Sequence, residues 1–80
     1  MRPDDIIGLL RARPFEPFRL HLSDGSHFDV GHPELAIVGR NRVVVGLPGK
    51  RGPKGPVERF VNGSLMHITR TEVLNGASKQ

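Results

Sequence analysis

FRLHLSDGSHFDV, residues Phe18 to Val30, is the stretch that decides the fold. Phe18, Leu20 and Leu22 alternate with Arg19 and His21, the period of a strand that lays one face on a core. Ser23-Asp24-Gly25-Ser26 follows as a turn, because Gly25 accepts a positive φ without steric penalty. His27, Phe28, Asp29 and Val30 then resume the alternation, with Phe28 and Val30 inward. This is a β-hairpin, and it commits the chain to antiparallel sheet.

Upstream, Asp4 or Asp5 is expected to cap a short helix running through Leu10 or Ala12, with Pro3 just ahead of it. Ile6, Ile7, Leu9 and Leu10 give that helix an apolar stripe. Pro14 ends it, and Arg13 is biased away from the α region by the proline that follows. Two turns of helix are marginal alone, so this one must dock on the sheet.

Downstream, Gly31-His32-Pro33-Glu34 turns the chain, Leu35 to Val38 form a third strand, and Gly39-Arg40-Asn41-Arg42 is a polar turn. Val43-Val44-Val45 is β-branched throughout and reads as the most fully buried strand. Val57 to Val61 and Ile68 to Val73 are the remaining strands. Asn62-Gly63 allows a tight type I′ hairpin joining Phe60 to Leu65. It also allows a strand to Gly63, with Ser64 capping a single turn from Leu65 to His67. The second reading is favoured, because Leu65, Met66 and Ile68 do not alternate strictly. Residues 75–80 read as a frayed tail.

The expected fold class is mainly β (α+β): one domain over residues 1–74, a short N-terminal helix followed by a strongly bent antiparallel sheet of five to six strands. Closing that sheet into a small barrel removes its edges. An open antiparallel meander with the helix on one face is the alternative.

Residues 12–38, ARPFEPFRLHLSDGSHFDVGHPELAIV, resemble a widespread family of short uncharacterised bacterial proteins. The shared pattern is a helix, then RPF-x-PF, an H-L-x-D-G turn, an aromatic residue and an HPE segment. Ile68-Thr69-Arg70 and Glu72 are similar to that family's closing V-T-R-(L/I)-E, with Thr71 where an aliphatic residue is usual. The resemblance covers most of positions 5–73 and brings no assigned activity. The family's centre is shorter and less basic, so Gly46 to Pro56 is a departure in this chain. The helix-first order is also similar to SH3/Sm-like barrels, a likeness of fold that carries little about function.

Eighty residues bury only about 60% of their unfolded surface. With 36% hydrophobic residues, four Phe and no Trp, Tyr or Cys, one thin core is expected, and dimerisation would thicken it. Without cysteine there is no disulfide, thiolate metal site or thiol nucleophile. No apolar run approaches the roughly 20 residues that span a bilayer. Asp4 and Asp5 follow Arg2, and the stretch Ile6 to Leu10 is broken by Gly8, which is not a signal-peptide pattern. A cytoplasmic protein with no membrane partner is the expectation.

The net charge of +4 is unevenly placed: residues 1–34 hold four basic and six acidic side chains, residues 35–80 eight and two. The centre of the basic half is GLPGKRGPKGPV, Gly46 to Val57, which carries Lys50, Arg51 and Lys54 and no acid. It has too little apolar surface to fold on its own. Its four collagen-like triplets cannot sustain a triple helix, and it lacks the Gly-Lys-Ser/Thr ending of a phosphate-binding loop. What remains is a basic loop over residues 46–56 that can contact phosphates of RNA or DNA. Arg40, Arg42, Arg59 and Arg70 would join it if those side chains share a face.

Other chemistry finds little support. Phe18, Phe28 and Phe60 fall on inferred inward positions, which suits core packing over base stacking. Phe15, beside Pro14 and Pro17, is the ring left to be exposed or to seal the helix against the sheet. His21, His27, His32 and His67 lack the spacing of a zinc site, so no metal and no cofactor is expected. Ser23, Asp24, Ser26 and Glu34 are explained by turn chemistry, and no catalytic pair stands out, so the chain is not expected to be an enzyme. The expectation is a small interaction module contacting nucleic-acid phosphates. The alternative is a protein–protein or self-assembling module, such as a homodimer, that uses sheet edges.

Overall fold

A computed structural model describes residues 1–49 and 56–74. Helix α1 (Pro3–Arg11) is followed by β1 (Phe18–Leu22), β2 (His27–Val30), β3 (Ala36–Val38), β4 (Arg42–Pro48), β5 (Val57–Ser64) and β6 (Ile68–Val73). Two single 3-10 turns, Pro33–Leu35 and Leu65–His67, lead into β3 and β6. Among the described residues no helix is long and apolar enough to cross a membrane.

The helix starts earlier than expected. Pro3 occupies its first position and Arg2 is the cap, so Asp4 and Asp5 lie inside the first turn. Proline's fixed φ suits that position, where its missing N–H would be unpaired anyway. Asp5 still serves the helix start, accepting the Arg2 backbone N–H at 3.2 Å. Both carboxylates also sit at the positive end of the helix dipole.

The central hairpin forms as expected. Phe18 pairs with Val30 and His21 with His27, and Gly25 turns the chain at φ 91°. The Asp24 carboxylate holds the turn, accepting from the Ser26 amide at 2.9 Å and the Ser26 hydroxyl at 2.6 Å. Those two bonds, the hydroxyl's first, hold the Asp24 carboxyl below its ordinary range.

The strands do not lie in one continuous bent sheet. They form two three-stranded antiparallel sheets, ordered β2-β1-β6 and β3-β4-β5, and no closed barrel is found among the described residues. The two 3-10 turns are the physical reason. Each interrupts strand pairing and carries the chain from one sheet to the other, β2 to β3 and β5 to β6. Leu35 consequently belongs to a turn, and β3 begins at Ala36. At the second turn the favoured reading holds: β5 runs through Gly63, and the Ser64 hydroxyl accepts the Met66 N–H at 3.3 Å.

β4 and β5 are longer than expected, because Gly46, Leu47 and Pro48 pair with Phe60, Arg59 and Val57. Proline is tolerated there because the register shifts between Leu47 and Pro48, where no ladder bond is required of it. The loop is thus narrower than 46–56. Gly49 donates to the Pro56 carbonyl at 3.4 Å, and residues 50–55 lie outside the described residues, as does the tail at 75–80.

Both sheets, the helix and the second 3-10 turn feed one core of Ile6, Phe18, Leu20, Val30, Val43, Val45, Leu65 and Ile68. Phe15, half-buried against this core, packs edge-on against Phe18, centroids 6.1 Å apart. Val44 departs from the expectation of a fully buried strand. It is only half-buried, because β4 alternates and puts Val43 and Val45 inside.

Candidate nucleic-acid interface

The register of β4 and β5 decides what faces outward on the second sheet. Val45 opposes Val61 and Val43 opposes Gly63 on the inner side. The intervening pairs, Gly46 with Phe60, Val44 with Asn62 and Arg42 with Ser64, therefore share the outer side. Ile37 joins them opposite Val44. Phe60, expected inside, is instead 67% exposed. β5 had to choose between Phe60 and Val61 for the core, and the branched Val61 fits beside Val45. The outer face thus carries Phe60, Ile37, Val44 and Asn62, with Arg42 at one end and the hairpin leading to residues 50–55 at the other.

The basic candidates do not gather on one face. Arg40 is exposed in the turn between β3 and β4, and Arg42 stands at the start of β4 on the outer face. Arg59 opposes Leu47 on the other side of β5, near the hairpin end. Arg70 lies on the first sheet, opposite His21. Lys50, Arg51 and Lys54 lie outside the described residues. Glu58 adds an acid at the hairpin end, where its carboxylate reaches over Gly49.

The outer face of the first sheet has a different character. Arg19 stands between Asp29 and Glu72, and His21 between His27 and Arg70. Arg19 grips Asp29 with two bonds, at 2.7 and 3.1 Å, and His21 meets Glu72 at 2.8 Å. The Arg19 contact lowers the Asp29 pKa and the His21 contact lowers that of Glu72. The guanidinium of Arg19 is correspondingly pushed up, chiefly by its hydrogen bond to Asp29. Basic and acidic groups alternate here, so Arg70 faces a locally balanced surface poorly suited to an extended polyanion.

A cleft of roughly 360 Å³ opens where the sheets meet, lined by Leu22, Ser23, Asp24, Asn62, Gly63, Ser64 and His67. The second 3-10 turn ties its walls together: Ser23 donates its N–H to the His67 carbonyl and Leu65 donates to Asn41, each at 2.8 Å. Ser23 Oγ lies 3.4 Å from His67 Nδ1. Asp24 is engaged by Ser26, so these three residues do not form the nucleophile, base and orienting group of a hydrolytic relay. Among the described residues no group of three or more His, Asp or Glu is placed to hold a metal.

Sequence reasoning missed this cleft and the Phe60 face. The one signal for the face was the spacing of Val61 and Gly63, a small residue where the inner side meets Leu22, Phe28 and Val43. No family model, curated protein or solved structure matches the chain.

Proposed function

We propose that the protein is a small non-catalytic module that binds single-stranded nucleic acid on the outer face of the second sheet. The observation that carries this reading is Phe60, a large ring 67% exposed on an open sheet face. An exposed aromatic ring stacks an unpaired base whatever its identity, and duplexes do not offer such a base. Charge complementarity supplies the rest. Arg42 shares the face, Arg40 lies in the turn next to that end, and Lys50, Arg51 and Lys54 follow in sequence from its hairpin end, while Arg59 stands on the opposite side of β5. Cations of this kind set affinity and salt dependence while the ring fixes position.

The test is titration of a fluorescent single-stranded oligonucleotide at about 50 and about 200 mM salt. Binding that weakens with salt, falls with Phe60→Ala and loses salt slope when Lys50, Arg51 and Lys54 become Ser supports the reading. Ile37, Val44 and Phe60 also make an apolar surface of the kind that seats a second copy. Salt-insensitive self-association that Phe60→Ala abolishes, with no nucleic-acid binding, would favour that alternative.

A further inference from the structure

The cleft at the junction of the sheets lies on the path of a strand that stacks on Phe60 and runs along β5 toward Ser64. Phe60, Asn62 and Ser64 alternate along β5 and point to one side, and one such step is about 7 Å. Asn62 and Ser64 are also cleft walls. A chain held at Phe60 and running toward Ser64 therefore brings its next nucleotide to the cleft mouth.

The lining states what part of that nucleotide fits. Ser23, Ser64, Asn62 and His67 offer hydrogen-bonding groups, and Asp24 offers a carboxylate. Asp24 is fixed in place by the Ser26 amide and hydroxyl through one oxygen, Oδ1. Those same bonds lower its pKa below the ordinary carboxylate range. An anion in the wall repels phosphate and favours a neutral group that donates a hydrogen bond. A carboxylate that accepts from a ribose hydroxyl is the same solution used at dinucleotide sites. The volume, roughly 360 Å³, falls at the small end of ligand pockets, which suits one sugar or nucleoside and not a longer segment.

We infer that this cleft receives the ribose of the nucleotide next to the one stacked on Phe60, with Asp24 accepting from the 2′-hydroxyl, so that the face prefers RNA over DNA. This preference presupposes single-strand binding at the outer face of the second sheet. The 2′-hydroxyl is the group by which a protein distinguishes the two polymers at a given site.

The test compares oligouridylate with oligodeoxyuridylate of equal length, which differ in that hydroxyl and not in the base. The native protein should bind the ribo form roughly ten- to a hundred-fold more tightly, the range of one hydrogen bond to a charged group. Asp24→Asn, which keeps the turn's oxygen but loses the carboxylate acceptor, should narrow that ratio, with any gain from the lost negative charge shared equally by the ribo and deoxy forms. Phe60→Ala should weaken both forms together. Equal affinity for the two oligonucleotides, with Phe60→Ala still weakening both, overturns the ribose assignment and leaves binding at the sheet face standing. Failure to bind either one overturns both.

Discussion

Phe60 lies directly across the sheet from Gly46, and its ring occupies the space that a side chain at 46 would need. A Cβ built on Gly46 would stand 3.3 Å from Phe60 Cε1 and 3.2 Å from both methyls of Val57. Gly46 is therefore the floor beneath the exposed ring. Gly46→Ala should keep the fold at a cost of about 1–3 kcal/mol, because the exposed ring can swing aside but the stiff, β-branched Val57 must give as well. Its expected effect is on the ring's seat, and so on single-strand affinity. Thermal unfolding and an oligonucleotide titration on the same sample check both parts.

Removing the ring separates binding from folding more cleanly. Phe60→Ala should cost under about 1 kcal/mol of stability, as an outward residue does. It should weaken single-strand binding by about 1–3 kcal/mol, or roughly five- to 150-fold, if one base stacks there. An urea melt and a binding isotherm give the two numbers.

The core should respond in the opposite way. Phe18 and Leu20 are fully buried on β1, between β2 and β6. Phe18→Ala should cost about 3–5 kcal/mol and Leu20→Ala about 2–5, against a total of about 4–12 for a domain of this length. Denaturant unfolding should show partial or complete loss of structure in the first variant.

Two exposed glycines should give opposite signs. Gly25 sits at φ 91°, where an L side chain is strained, and Gly8 sits in the exposed middle of α1 with nothing within 4 Å of a new Cβ. Gly25→Ala should lower stability by about 1 kcal/mol. Gly8→Ala should raise it by about 0.5–1 kcal/mol. Urea midpoints of the two variants settle the comparison.

Acid should destabilise the first sheet through its outer face. The Asp29 pKa is lowered by Arg19 and that of Glu72 by His21. A carboxyl with a depressed folded-state pKa contributes stability that is present above its unfolded pKa and lost as pH falls through the folded one. Stability should thus hold down to about pH 4, the unfolded range for these groups, and decline below it. Asp29→Asn together with Glu72→Gln should flatten that decline. Melting curves between neutral and acid pH measure it.

What the sequence made legible were the local devices. Alternation from Phe18 to Val30 with Gly25 between specified the hairpin, and Ser64 ahead of Leu65 specified the second 3-10 turn. The helix start slipped because Pro3 is as good a first residue as Asp4 is a cap. The division into two sheets was hidden, because it rests on β1 pairing with β6, Phe18 beside Val73, a contact no local pattern announces. The site was hidden for a related reason. Which of Phe60 and Val61 faces the core depends on register against Val45, and the cleft joins a turn at Ser23 and Asp24 to the distant stretch from Asn62 to His67.

Binding of a single strand on the Phe60 face of the second sheet is open to direct observation. The most direct measurement is a map of backbone and side-chain NMR shift changes as a short single-stranded oligonucleotide is added. Binding on that face should concentrate the changes at Arg42, Val44, Phe60 and Asn62, with Ile37 at the margin. Changes confined to Arg19, His21 and Arg70 on the other sheet, or no changes at all, would contradict it.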